Sequence, residues 1–82
     1  MQLIFITRRK NDLLTLARAF ASEGHSIFFS QNLNSAFLNK KDTIIILDGK
    51  VRHEAGNIFV LNDINTYRAY VAIKQYINKN FS

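Results

Sequence analysis

The chain of 82 residues has no cysteine, no proline and only three glycines. Without cysteine there is neither a disulfide framework nor a thiolate metal site. With glycine this scarce, the basic turn TRRKND, Thr7 to Asp12, lacks the glycines that let a backbone wrap a phosphate, so a tight nucleotide pocket is not expected. Apolar runs such as Ile44 to Leu47 fall far short of a bilayer span. The start of the chain lacks the layout of a signal peptide, and a cytoplasmic protein of a bacterium or its phage is expected. His25 and His53 have no His-x-x-x-His spacing, so no metal site is assigned. The serines lack a local nucleophile motif. No catalytic residue and no cofactor follow from these residues. Low-complexity tracts, linkers and internal repeats are also missing, and the expectation is a single domain over residues 1–82.

What is present belongs to an ordinary globular chain. It is 48% hydrophobic and 21% charged, outside the range of disordered sequences. Lys and Arg number 11 against 6 Asp and Glu, a formal charge of +5. That permits an anionic partner such as nucleic acid. It is also the net charge that keeps a small protein soluble.

Hydrophobic spacing divides the chain into alternating strands and helices. QLIFI, residues 2–6, is a short apolar run suited to a strand covered on both faces. From Asp12 the spacing changes: Leu13, Leu14, Ala17, Phe20 and Ala21 form a helical stripe, with Asn11 or Asp12 as cap and Gly24 as stop. Residues 25–30, HSIFFS, read as a second strand. Leu33, Ala36 and Phe37 suggest a short helix capped by Asn32 or Asn34. TIIIL, residues 43–47, and NIFVL, residues 57–61, read as strands. Residues 63–79 read as a helix capped by Asn62 or Asp63, with Ile64, Tyr67, Tyr70, Val71 and Ile77 on its apolar face. This rhythm predicts an α/β fold: a small, mostly parallel four-strand sheet with helices on both sides.

The uncertain joint follows Asp48. If DGKVRHEAG is a short helical crossover, Asp48 caps it and Gly56 ends it, and the sheet stays parallel. If Asp48-Gly49 is a two-residue turn, KVRHE returns as a strand and residues 43–54 form a β-hairpin in a mixed sheet. The parallel connection fits the other elements better.

A third reading of Asp48 is chemical. The segment LLTLARAFASEGHSIFFSQNLNSAF…DTIIILDGKV resembles the first half of a response-regulator receiver domain, from an apolar strand and a helix ending in EG to a third strand ending in LD. The resemblance spans residues 2–51 and places the family's phosphoacceptor aspartate at Asp48. Receivers carry an acidic pair after their first strand to hold Mg²⁺; this chain has Thr7, Arg8 and Arg9. They carry lysine-proline after their last strand; this chain has Asn62-Asp63. About one strand–helix unit of the family has no counterpart. Phosphoryl transfer relies on metal and lysine for charge neutralisation. The expected role of Asp48 is therefore structural, as a cap or turn carboxylate paired with Arg8 or Arg9.

Ligands of open α/β sheets bind beyond the carboxyl ends of the strands. On the parallel reading Arg8, Arg9, Lys10, Lys50 and Arg52 gather there, beside a helix N-terminus. They are the candidate anion or nucleic-acid site, with a solvated basic turn as the alternative. Lys40 and Lys41 fall on the opposite rim. On the last helix, Ile73 and Tyr76 point away from the expected core face and are the candidate interface. The functional expectation is a non-enzymatic, pseudo-receiver regulatory module that binds a protein partner or itself. The alternative is sequence-nonspecific binding of a nucleic-acid backbone; no membrane association is expected.

Overall fold

Strand and helix alternate along the chain as the hydrophobic spacing requires. The computed structural model describes residues 1–49, 56–62 and 65–81. β1 (Gln2–Ile6) leads into α1 (Lys10–Ser22) and β2 (Ser26–Ser30). A single 3-10 turn (Ser35–Phe37) precedes β3 (Thr43–Asp48), β4 (Ile58–Leu61) and α2 (Thr66–Phe81).

The four strands form one parallel sheet in the order β2-β1-β3-β4. β3 is occupied on both edges: Ile45 stands opposite Ile4 on one side and Ile58 on the other. This overturns the β-hairpin over residues 43–54, because β3 has no free edge to accept KVRHE and β4 runs parallel to it. Residues 50–55 lie outside the described residues, and with them the expected crossover helix, Lys50, Val51, Arg52 and His53.

Two apolar clusters hold the sheet, one on each face. The first joins Leu3, Phe5, Ile44, Ile46 and Leu61 to Leu13, Leu16, Ala17 and Phe20 of α1 and to Ala69 and Ile73 of α2. Both α-helices therefore lie on the same face. The second comprises Ile4, Ile6, Ile45, Leu47 and Ile58, covered by Leu33, Phe37, Leu38 and Val60. Because β3 is buried from both sides, Thr43 to Leu47 needs no polar alternation. Burying one such Ile or Phe fully contributes about 1.5–3 kcal/mol.

Helices were expected on both sides of the sheet. Among the described residues the second face carries only the 3-10 turn. Two flanking asparagines account for this: one bonds locally in place of a helix ladder and the other takes a left-handed backbone that ends the turn. The Asn34 side chain accepts from the Ala36 N–H at 2.9 Å, and Asn39 adopts a left-handed φ of 56°.

The helix ends also differ from expectation. α1 starts at Lys10, ahead of Asn11 and Asp12, and its N-cap residue Arg9 makes no side-chain capping bond. Instead the Arg9 N–H donates to Thr7 Oγ1 at 2.8 Å. Asp12 lies in the first turn, where a carboxylate favours the helix dipole. Gly24 stops α1 with φ 96°, as its position implied. α2 is capped by Asn65, whose Oδ1 accepts from the Arg68 N–H at 3.0 Å, and not by Asn62. Asp63 lies outside the described residues.

Candidate functional site at the sheet rim

The parallel strands bring the ends of β1 and β3 side by side. The chain leaves β1 towards β2 on one flank while β3 occupies the other, so the sheet switches direction there. Thr7 follows β1 and is 5% exposed; Asp48 ends β3. Thr7 Oγ1 donates to Asp48 Oδ2 at 2.7 Å. Arg9 completes the cluster by a two-point fork: Nε donates to Oδ2 at 3.0 Å and an η-nitrogen donates to Oδ1 at 2.6 Å. Such bidentate guanidinium–carboxylate pairs are strong and directional.

The pair sets its own charge state. The Arg9 hydrogen bonds, then the Thr7 hydroxyl, hold the Asp48 carboxyl below the usual carboxylate range against the opposing effect of burial. In return the Asp48 hydrogen bonds, then its charge, raise the Arg9 pKa above its ordinary value. The Asp48 side chain is only 8% exposed, whereas Arg9 is 44% exposed, so water screens the cationic side. Of the two partners expected for Asp48, the structure selects Arg9. That removes Arg9 from the set of free cations at the rim.

Arg8 and Lys10 are disposed differently. Arg8 is exposed and makes no hydrogen bond or ion pair among the described residues. Lys10 holds its ammonium over the Phe29 ring, 5.2 Å from the centroid. An open cleft of about 530 Å³ runs beside Arg8, with Ile6, Leu33 and Leu47 as apolar lining and Gln31 and Asn32 as polar lining. A smaller one of about 250 Å³, lined by Arg8, Lys10, Phe29 and Ser30, also borders Arg8. Lys50 and Arg52, the other expected members, lie outside the described residues.

The resemblance to receivers implies a Mg²⁺ site here, and these residues do not fit one. Asp48 is the only carboxylate lining the larger cleft among the described residues. Its two oxygens already accept three hydrogen bonds, and a guanidinium sits where the cation would bind.

The exposure expected for Ile73 and Tyr76 on α2 is corrected. Ile73 is 0% exposed and sits in the helix–sheet core. Tyr76 is half-buried: its ring meets Phe59 edge-on at 5.5 Å, and its hydroxyl donates to the Gly56 carbonyl at 2.7 Å. Burial raises the Tyr76 phenol above its ordinary pKa. Tyr67, assigned to the core face, is instead 75% exposed. The stripe that meets the core has Ala69 and Ile73 buried, with Tyr70, Tyr76 and Ile77 partly buried against them.

Two polar arrangements had not been anticipated. Asn57, 4% exposed, accepts from the Asn39 N–H at 2.8 Å and donates to the carbonyls of Phe37 and Thr43 at 3.0 and 3.1 Å. A polar residue directly ahead of an apolar strand is the one signal the sequence offered. The second is a cluster joining the two helices. Lys74 donates to Glu23 at 2.8 Å and to the Tyr70 hydroxyl at 3.0 Å, and Tyr70 donates to Glu23. Lys74 and then Tyr70 lower the Glu23 pKa, and Glu23 raises that of Lys74. Lys40 and Lys41 line a cleft on the opposite rim, as expected. No helix among the described residues is long and apolar enough to cross a membrane.

Compared with known proteins, the chain matches no family model, no curated protein and no solved structure.

Proposed function

We propose that the chain is a non-enzymatic interaction module on a receiver-like scaffold, binding a protein partner or a second copy of itself. The observation that carries this is the Arg9–Asp48 fork. A receiver changes state when its aspartate gains a phosphoryl group with Mg²⁺ in attendance. Here the aspartate is already neutralised by a built-in cation and a hydroxyl. The strand order supports the scaffold, since β2-β1-β3-β4 corresponds to the first four strands of the doubly wound order 2-1-3-4-5. A module of this kind holds one state and acts through its surface. The test is an amide NMR spectrum with beryllofluoride and Mg²⁺. Unmoved resonances at Thr7, Arg9 and Asp48 are expected. Shifts centred on Asp48 would restore phosphoacceptor chemistry and end this reading.

A second reading is favoured by one feature, the unpartnered Arg8 between two clefts. Arg8 and Lys10, joined by Lys50 and Arg52, would contact a nucleic-acid backbone without reading its sequence. A titration with a random duplex and a matching single strand, at low and moderate salt, tests it. Salt-sensitive shifts around residues 8–10 support it; a flat response removes it.

A further inference from the structure

The β2 edge is open and unusually plain. Among the described residues β2 pairs with β1 alone, in an unbroken register from Ser26 to Ser30. Proteins usually blunt such an edge with a charge, a proline or a bulge. SIFFS has none of these, and its central residue, Phe28, is 50% exposed. Phe28 and Tyr67 are the large apolar side chains most open to water among the described residues.

The backbone says which groups are free. The Ser26 N–H donates to the Met1 carbonyl at 3.0 Å, and the Ser30 carbonyl accepts from the Thr7 N–H at 2.9 Å. Ser26, Phe28 and Ser30 therefore turn their peptide groups towards β1. By alternation Ile27 and Phe29 turn theirs outward.

We propose that β2 pairs antiparallel with β2 of a second copy, about a two-fold axis through Phe28, joining two four-strand sheets into one of eight. The sequence is self-complementary in that register. Ser26 meets Ser30, Ile27 meets Phe29, and Phe28 meets Phe28 of the second copy. The outward groups fall where the pairing needs them: Ile27 and Phe29 of opposite copies exchange both N–H···O bonds, twice by symmetry. Phe28 then occupies a non-hydrogen-bonded site, where opposing side chains come closest and aromatic pairs pack well. Separation of the Arg8 and Lys10 rims favours the same direction. Arg8 and Lys10 stand at the carboxyl end of the strands, so antiparallel pairing sends the two basic rims to opposite ends. A parallel pairing would set like rims side by side. This deepens the interaction-module reading by naming the partner, and its test does not depend on the state of Asp48.

The full chain has no cysteine, so a single introduced thiol reports alone. Opposed Cα atoms at a non-hydrogen-bonded site are about 4.5 Å apart, within the disulfide range of about 4.4–6.8 Å. Phe28→Cys should give a disulfide dimer under mild oxidation, at least tenfold faster than Tyr67→Cys, an exposed control on α2. In the unmodified chain, hydrogen exchange at the Ile27 and Phe29 amides should slow as concentration rises, and sedimentation should show a dimer that Phe28→Lys dissociates. Equal cross-linking of the two cysteine variants, or concentration-independent exchange at Ile27 and Phe29, overturns the proposal. Either result leaves the Asp48 test of the module reading intact.

Discussion

At Asn57 one carboxamide meets three backbone groups: the N–H of Asn39, the carbonyl of Thr43 and the carbonyl of Phe37, which also accepts from the Lys40 N–H at 3.3 Å. It ties the 3-10 segment to the start of β3, and so fixes the cover over the second face. Removing it strands the Asn39 N–H and the Thr43 carbonyl in a largely buried place, at about 1–3 kcal/mol for each left unsatisfied. Water will reach some of them, so Asn57→Ala should cost about 2–4 kcal/mol, read as a lower urea midpoint at unchanged slope. Asp48 makes a different claim. Its folded pKa lies below the value of 3.8 for a free aspartate, so the linked stability is complete above that value. It is lost as pH falls through the depressed folded pKa. Asp48→Asn should therefore be less stable than the parent at neutral pH, with the gap closing in acid. Urea midpoints between pH 7 and pH 2 measure it. Glu23 is depressed too, so the variant should retain part of the acid slope. The pairing of Asp48 with a neighbouring arginine was legible in the sequence, since opposite charges end adjacent strands. Asn57 was not, because an asparagine beside a glycine signals a turn and says nothing of what the turn will touch.

Elements were legible where periodicity is strong. Ile44 to Leu47 can satisfy a strand buried on both faces, and Leu13, Ala17 and Phe20 can satisfy only a helix stripe. α2 was placed correctly but rotated. Two tyrosines drew the apolar stripe towards Tyr67, while the position that packs against the core is Ala69, whose small side chain carries little hydrophobic signal. The correct phase makes a clear contrast. Ile73→Ala should cost about 2–5 kcal/mol, as a buried truncation does. Tyr67→Ala should stay within about 0.5 kcal/mol, as exposed changes do. Thermal or urea unfolding of both variants checks it, and the reverse ranking would mean the helix is turned as the sequence suggested. The Asn-rich connection before β3 shows the other limit: Leu33, Ala36 and Phe37 have helical spacing, yet the local bond of Asn34 and the left-handed backbone of Asn39 leave room for only one 3-10 turn.

For the whole molecule, the alternation of strand and helix was enough to read a parallel sheet, but not which strand would end at its margin. That depends on order in space, which no run of residues encodes. It matters because the two surfaces left for binding respond to the overall charge of +5 in opposite ways. A nucleic-acid backbone is held at the rim by exchange of counterions, so its affinity falls steeply with salt. Two copies meeting at the uncharged β2 edge repel one another through their net charge, and salt relieves that repulsion as the screening length shrinks from about 30 Å at 0.01 M to about 10 Å at 0.1 M. Self-association should therefore hold or strengthen over that interval, measured by sedimentation. Binding to a random duplex, if the rim engages it, should weaken over the same interval. Neutralising Arg8 and Lys10 together should then reduce the slope of log affinity against log salt by roughly 2 and leave dimerisation no weaker. Phe28→Lys should do the converse, abolishing dimers while adding to the positive field. A chain whose dimer dissolved with added salt would be joined through charged groups, and the uncharged Ser26–Ser30 edge could not be the seam.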